Sequence, residues 1–156
     1  QQNSPVYLVT YAQALFAMAE AAKIGWIAGA DATALTNYNA AITASIGQWT
    51  GSTSTASAYL LVPAVTYNPA TALRQIGYQR WVHLFLHGYE GWAEWRRTGF
   101  PILVAPAGAN GDRIPRREGY PTQENANNTA NYAAAISSFP YGGSDDLNAR
   151  VWWDKP

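Results

Sequence analysis

His83 and His87 stand four residues apart, and Glu90 follows three further on. On a helix that spacing puts two imidazoles and a carboxylate on one face, the donor set of a zinc site. A helical zinc hydrolase of the common type carries a Glu directly after its first His as general base, and here that position is Leu84. With the base missing, the stripe reads more simply as a polar helix face on which Glu90, Glu94 and Arg97 contact one another at helical spacing. Glu90 and Glu94 also form a carboxylate pair near several Trp, as in a glycosidase, where carboxyls about 5 to 5.5 Å apart suit a retaining enzyme and a wider gap an inverting one. Two Glu one helical turn apart are more commonly salt-bridged, however. Asp112, Asp145 and Asp146 lack the ligand spacing of a calcium loop and read as turn carboxylates. Arg96-Arg97 and Arg116-Arg117 could hold an anion. With Glu94, Glu118 and Glu124 available, they are expected instead to tie the C-terminal stretch to the preceding helix through bidentate pairs. No catalytic residue, metal or cofactor is assigned.

Seven Trp and ten Tyr invite a carbohydrate reading, because an indole face can stack on the apolar face of a sugar ring. Trp81, Trp92 and Trp95 share an apolar helix face and are expected in the core. Trp49 beside a Ser/Thr loop, Tyr59, and the Trp152-Trp153 pair have contexts that allow exposure. These four are the candidate ligand-binding residues, with packing as the plainer alternative for each.

The elements that must position these groups follow from local signals. Ser4-Pro5 reads as a cap followed by proline at the first helical position, with Leu8, Ala12, Leu15, Ala19 and Ala22 at helical spacing up to Gly25. Asp31 is expected to cap a second helix through Leu35, Tyr38, Ala41, Ile42 and Ile46 to Gly47. The two helices should lie antiparallel. The series Ala34, Tyr38, Ala41 has the small-aromatic-small spacing of a tetratricopeptide helix. Residues 50–57 form a Gly/Ser/Thr-rich loop, and 59–67 could be extended. Asn68-Pro69 starts a third helix, with Gly77, Trp81, Leu84, Phe85, Gly88, Trp92 and Trp95 on one face and the His83/His87/Glu90 stripe opposite; Gly88 could kink or split it. Beyond Gly99 the Pro and Gly content leaves room for short elements, the best a helical turn near 131–136, while the aromatics there favour order.

Composition bounds the function. At 156 residues the chain fits one domain, and ten basic against ten acidic residues leave no field to draw nucleic acid or an anionic membrane. The absence of Cys excludes thiol chemistry. Tyr7 to Ala30, the most apolar stretch, is broken by Thr10, Gln13, Glu20 and Lys23 and suits a packed helix better than a membrane span. Charged residues make up 13%, against roughly 25% in average soluble domains. Up to Leu73 they number only Glu20, Lys23 and Asp31. Either this half is buried against a partner or further chain, or the protein is extracytoplasmic and kept soluble by Thr, Ser, Asn and Gln. The start at Gln1 is what a mature exported protein or a cut fragment would show.

The run Gln79-Arg80-Trp81, Leu84-Phe85 and Gly88-Tyr89-Glu90-Gly91-Trp92-Ala93-Glu94-Trp95-Arg96-Arg97-Thr98-Gly99-Phe100-Pro101 resembles the C-terminal region of the SusD/RagB family of outer-membrane nutrient-binding lipoproteins. Ile114-Pro115-Arg116-Arg117, Tyr120-Pro121, Asn131-Tyr132 and Val151-Trp152-Trp153-Asp154-Lys155 continue the likeness. Tyr11-Ala12-Gln13-Ala14 with Ala19-Glu20-Ala21 is similar to the family's repeat helix. The resemblance implies an all-α fold of tetratricopeptide-like helix pairs over 1–99, with an irregular C-terminal region over 100–156 packed on them, both parts of one domain of a longer protein. It implies a non-catalytic protein at the cell surface that binds a glycan or other nutrient and partners a TonB-dependent outer-membrane transporter. Membrane attachment would come only through a lipidated cysteine in a preceding part. The family's glycan platform lies largely upstream of the matched region, so no ligand contact carries over. Instead, Trp81, Trp92 and Trp95 would seat the third helix, and Glu94, Arg96 and Arg97 would lock the tail against it. Competing readings are a helical glycoside hydrolase or metal hydrolase, and a protein-interaction scaffold without ligand binding.

Overall fold

The start of the first helix is set by a reciprocal pair of hydrogen bonds. Thr10 Oγ1 accepts from the Gln13 N–H at 3.2 Å and Gln13 Oε1 accepts from the Thr10 N–H at 2.7 Å. The helix α1 therefore spans Tyr11–Lys23, and Leu8, expected on its apolar face, precedes it and is exposed. The computed structural model describes residues 6–139 and 144–154, so the Ser4-Pro5 cap lies outside the described residues. The chain divides into two compact units, Gln1–Pro101 and Ile102–Pro156. Among the described residues the regular elements are helical, with no β-strand.

In the first unit α2 covers Ala30–Thr50. Gly29, at φ 101°, is its cap, while Asp31 sits in the first turn and accepts from Lys23 Nζ at 2.7 Å and the Tyr67 hydroxyl at 2.6 Å. The helix runs past Gly47 because nothing there forces a positive φ; it ends at Gly51, at φ 76°. Thr36, Asn37, Thr43 and Thr50 each return a side-chain donor to the carbonyl four residues back, which is how a nearly uncharged helix satisfies its polar groups.

The core forms where α1 meets α2. Ala12, Ala19 and Ala22 of α1 face Ala34, Tyr38 and Ala41 of α2, all buried, with Leu15, Phe16 and Ile42 filling between them. Small residues let the two backbones approach, and the Tyr38 ring, 0% exposed, takes the remaining space edge-on to Phe16. Its hydroxyl donates to the Val65 carbonyl at 2.8 Å, and burial holds that phenol well above its ordinary pKa.

The 59–67 segment is not extended. A strand would need a neighbour for its backbone groups; here α3 (Ala56–Leu60) is followed by turns in which Val62 N–H bonds Tyr59 O and Val65 N–H bonds Val62 O. The third predicted helix is two: α4 over Ala72–His83 and α5 over Gly88–Thr98, broken at 84–87 where Leu86 takes φ 67°. The Asn68 side chain accepts from the Ala70 N–H, so the chain turns before α4 begins.

The break changes which faces are buried. α4 packs Ala72, Ile76, Gly77, Gln79 and His83 inward, while Phe85 is 65% exposed and Trp81, Trp92 and Trp95 are only half-buried. His83, expected on the polar stripe, is a core residue.

Four charges join α1, α4 and α5. Arg97 grips Glu20 of α1 with both terminal nitrogens at 2.6 and 2.8 Å and donates to Glu94 at 2.8 and 3.2 Å. Arg80 of α4 lies 3.8 Å from Glu20 and 3.6 Å from Glu94. Glu94 is buried between the two guanidiniums; burial works to lower the Arg97 pKa, and the hydrogen bonds to Glu20 and Glu94 overcome that and raise it.

In the second unit the expected turn near 131–136 is a longer pair, α6 (Thr122–Asn127) and α7 (Thr129–Ser137). Arg116 holds the fully buried Asp154, with its Nε at 2.6 Å, and Arg150 joins at 3.1 Å. Arg117 pairs with Asp145 and lies over the stacked rings of Tyr120 and Phe139, its guanidinium carbon 5.0 and 4.6 Å from their centres. Of the arginines expected to tie the tail to the third helix, Arg97 pairs with Glu20 and Glu94 in the first unit, and Arg116 and Arg117 pair with Asp154 and Asp145 in the second. Arg96 stacks on Trp92 at 3.7 Å.

Removing the shared carboxylate would leave two guanidiniums facing one partner. Glu94→Gln is expected to lower the unfolding free energy by about 3 kcal/mol, the cost of breaking a buried ion pair. Glu90→Gln, on an exposed residue, should change it by less than about 0.5 kcal/mol in the same urea titration.

Candidate functional site

Trp49, near the end of α2, is held from several sides. Its Nε1–H donates to the His83 carbonyl at 3.1 Å, and Tyr7, Phe85 and His87 meet its ring with centroids 6.3, 5.9 and 6.3 Å away. Tyr59, in α3, shares a hydrogen bond of 3.2 Å between its hydroxyl and the Gln79 amide of α4. Both rings line one cavity of about 560 Å³ in the first unit, with Ile46 of α2, Ala58 of α3 and Val82 of α4 among its other walls. It is a cleft of the size that takes small molecules or side chains.

Beside the cavity His83 is 1% exposed. Its Nε2 lies 2.7 Å from Thr10 Oγ1 and its Nδ1 2.9 Å from Ser45 Oγ. Each ring nitrogen thus faces one hydroxyl, so a neutral ring donates to one of Thr10 and Ser45 and accepts from the other. Burial is the chief cause of a pKa lowered to about 4, with electrostatic contributions from His87 and Arg80 adding to it.

This arrangement sorts the sequence candidates. Trp49 and Tyr59 come together on the cavity. Trp152, 77% exposed, and the half-buried Trp153 belong to the second unit. The His83, His87 and Glu90 set is dispersed, because the helix breaks after His83 and both of its ring nitrogens are engaged. Among the described residues no cluster of three or more His, Cys, Asp or Glu side chains could hold a metal ion. The carboxylate pair is likewise split between buried, ion-paired Glu94 and exposed Glu90. Sequence reasoning missed Trp26, 81% exposed in the α1–α2 loop. Its place between Gly25 and Gly29, beyond the last helical repeat of alanines, was the available signal.

Fold and site together define an all-α protein of tetratricopeptide-like helix pairs with an aromatic-walled cleft, in which His83 and Glu94 are tied into packing. Residues 1–121 match the SusD-like family described as starch-binding and associating with the outer membrane. The chain belongs to that family. Its fold is similar to a chitin-binding protein of known structure, with 32% identity and a TM-score of 0.79 over 95% of this chain and 33% of that one. It is similar to a Bacteroidetes SusD-like protein, with 31% identity and a TM-score of 0.80 over 96% of this chain and 30% of that one. A SusD homologue from Bacteroides fragilis aligns at 30% identity and a TM-score of 0.78 over 97% of this chain and 36% of that one. The chain thus spans about one third of the length of these relatives. No curated protein matches it significantly.

Because His83 is neutral when folded, the unfolded chain takes up a proton that the folded chain refuses. Its contribution to stability is full above the ordinary value of 6.5 and is lost as the pH falls toward about 4, up to about 3 kcal/mol in all. Urea midpoints measured across that window should fall for the natural chain and stay flatter for His83→Gln.

Proposed function

We propose that this chain is part of a cell-surface protein that binds a glycan, of the starch or chitin type, and presents it without chemistry to a TonB-dependent outer-membrane transporter. Family membership carries the reading, supported by a chitin-binding protein among its structural relatives. In the proposed whole protein the two parts of this chain belong to one domain, and a lipidated cysteine outside it supplies the anchor. The non-catalytic reading is supported by what the reactive side chains do here. Glu94 neutralises two guanidiniums and His83 fills a core position, so neither is poised for proton transfer. Trp152, beside Trp153, is the candidate whose exposed ring is best suited to stack on a sugar. Trp49 and Tyr59 have their polar groups engaged within the protein.

The test is calorimetric titration with malto- and chito-oligosaccharides, followed by mass analysis of the sugar. Saturable binding with unchanged sugar masses is expected, weakened roughly fivefold by Trp152→Ala, as suits the loss of about 1 kcal/mol of stacking. Shorter products would favour a hydrolase. Transporter binding with no glycan affinity would favour a scaffold.

A further inference from the structure

We infer that Asn110 is a site of spontaneous deamidation, losing its amide nitrogen to attack by the Gly111 backbone, and that Asn148 holds the rate of this reaction in check. Asparagine is among the chemically labile residues of proteins. Asn110-Gly111 is the one place in the chain where an asparagine precedes a glycine. A following side chain would crowd the attacking backbone nitrogen, and glycine has none. Gly111 is exposed, and nothing lies within 4 Å of where a Cβ would stand. The backbone is left-handed here, at φ 49° for Asn110, 64° for Gly111 and 60° for Asp112. Glycine, Asn and Asp hold that conformation at least cost, so the turn selects the residue pair that reacts.

The chemistry needs only water. The Gly111 nitrogen gives up its proton and bonds Asn110 Cγ, the Cγ–Nδ2 bond breaks, and Nδ2 leaves as ammonia, closing a cyclic imide. Water then adds to one imide carbonyl and breaks its bond to nitrogen. Opening at Cγ leaves an aspartate. Opening at the main-chain carbonyl leaves an isoaspartate, in which the backbone runs through Cγ and is one carbon longer.

The structure sets both the brake and the consequence. Asn110 Nδ2 donates to the Asn148 side-chain oxygen at 2.9 Å and to the Arg113 carbonyl at 3.2 Å. Both bonds are lost when that nitrogen leaves, so they stabilise the starting state and slow the reaction. Asn148 is itself fixed, because its backbone N–H and that of Ala149 donate to Asp146 Oδ1. The product cannot keep the tie. A carboxylate at position 110 has no proton for the Arg113 carbonyl, and it adds a negative charge two residues from Asp112. Asp112 closes the turn by accepting from the Gly108 N–H at 2.6 Å, a register that a longer backbone shifts. Modification therefore frees the turn at 108–113 from the one at 144–149.

The test incubates the full-length polypeptide in mildly alkaline buffer, digests it in acid and maps every asparagine by mass spectrometry. A gain of about one dalton is expected on the peptide holding Asn110, in two products that separate by chromatography. With Asn148→Ala the gain should appear about fivefold faster, as suits the loss of one hydrogen bond. With Asn148→Asp, which keeps an acceptor oxygen in place, the natural rate should return. The modified fraction, isolated by ion exchange, should exchange its amide hydrogens faster at 108–113 than the unmodified fraction. Deamidation that spares Asn110 overturns the proposal. So do equal rates for the natural chain and Asn148→Ala, an Asn148→Asp variant as fast as Asn148→Ala, or a modified fraction that exchanges no faster.

Discussion

His83 ties three helices of the first unit together through hydrogen bonds. Its ring hydrogen-bonds the cap hydroxyl that starts α1 and the Ser45 hydroxyl in the middle of α2, and the residue ends α4 with a carbonyl that holds Trp49. Three helices and the cavity wall meet at one ring that is 1% exposed. A proton added there would bury a charge in a space lined by Phe16 and Trp49, with Arg80 close by. The polar joint thereby fixes the relative position of helices whose own contacts are mostly alanine, and alanine alone says little about register.

A second joint acts on the same helices from the surface side. Glu20, Arg80, Glu94 and Arg97 alternate in sign, so each carboxylate has two guanidiniums and the buried one is never left unpaired. The Glu-Trp-Arg-Arg run that makes the family recognisable is therefore a clamp of α5 onto α1 and α4. The same logic recurs in the second unit, where Arg116 and Arg117 each neutralise one aspartate.

Much of this fold was legible because it rests on local rules. The small-aromatic-small series at Ala34, Tyr38 and Ala41 is fully buried, and the loop around 50–57 separates helices as its composition required. The errors have specific causes. The Thr10-Gln13 box outcompeted the apolar period reaching back to Leu8. The third helix broke at 84–87, ahead of the glycine that drew attention, and this turned the supposed zinc stripe into a core position. Partners distant in sequence were invisible: Glu20 lies 77 residues from Arg97 and Thr10 lies 73 from His83. Two of the four aromatic candidates, Trp49 and Tyr59, do share a cavity, because their flanking apolar runs must face the same core. Its apolar walls depend on polar side chains finding one another across helices, which spacing along one helix does not reveal.

Holding helices together is the use this protein makes of His83 and Glu94, two side chains with the right spacing for chemistry. This use is tested most directly by following the ring resonances of His83 and His87 through a pH titration, with and without added zinc. His83 should keep the signature of a neutral ring until the pH approaches about 4, and zinc should leave it unmoved. Titration of His83 near the ordinary histidine value of about 6.5, with both histidines shifting together as zinc is added, would contradict it.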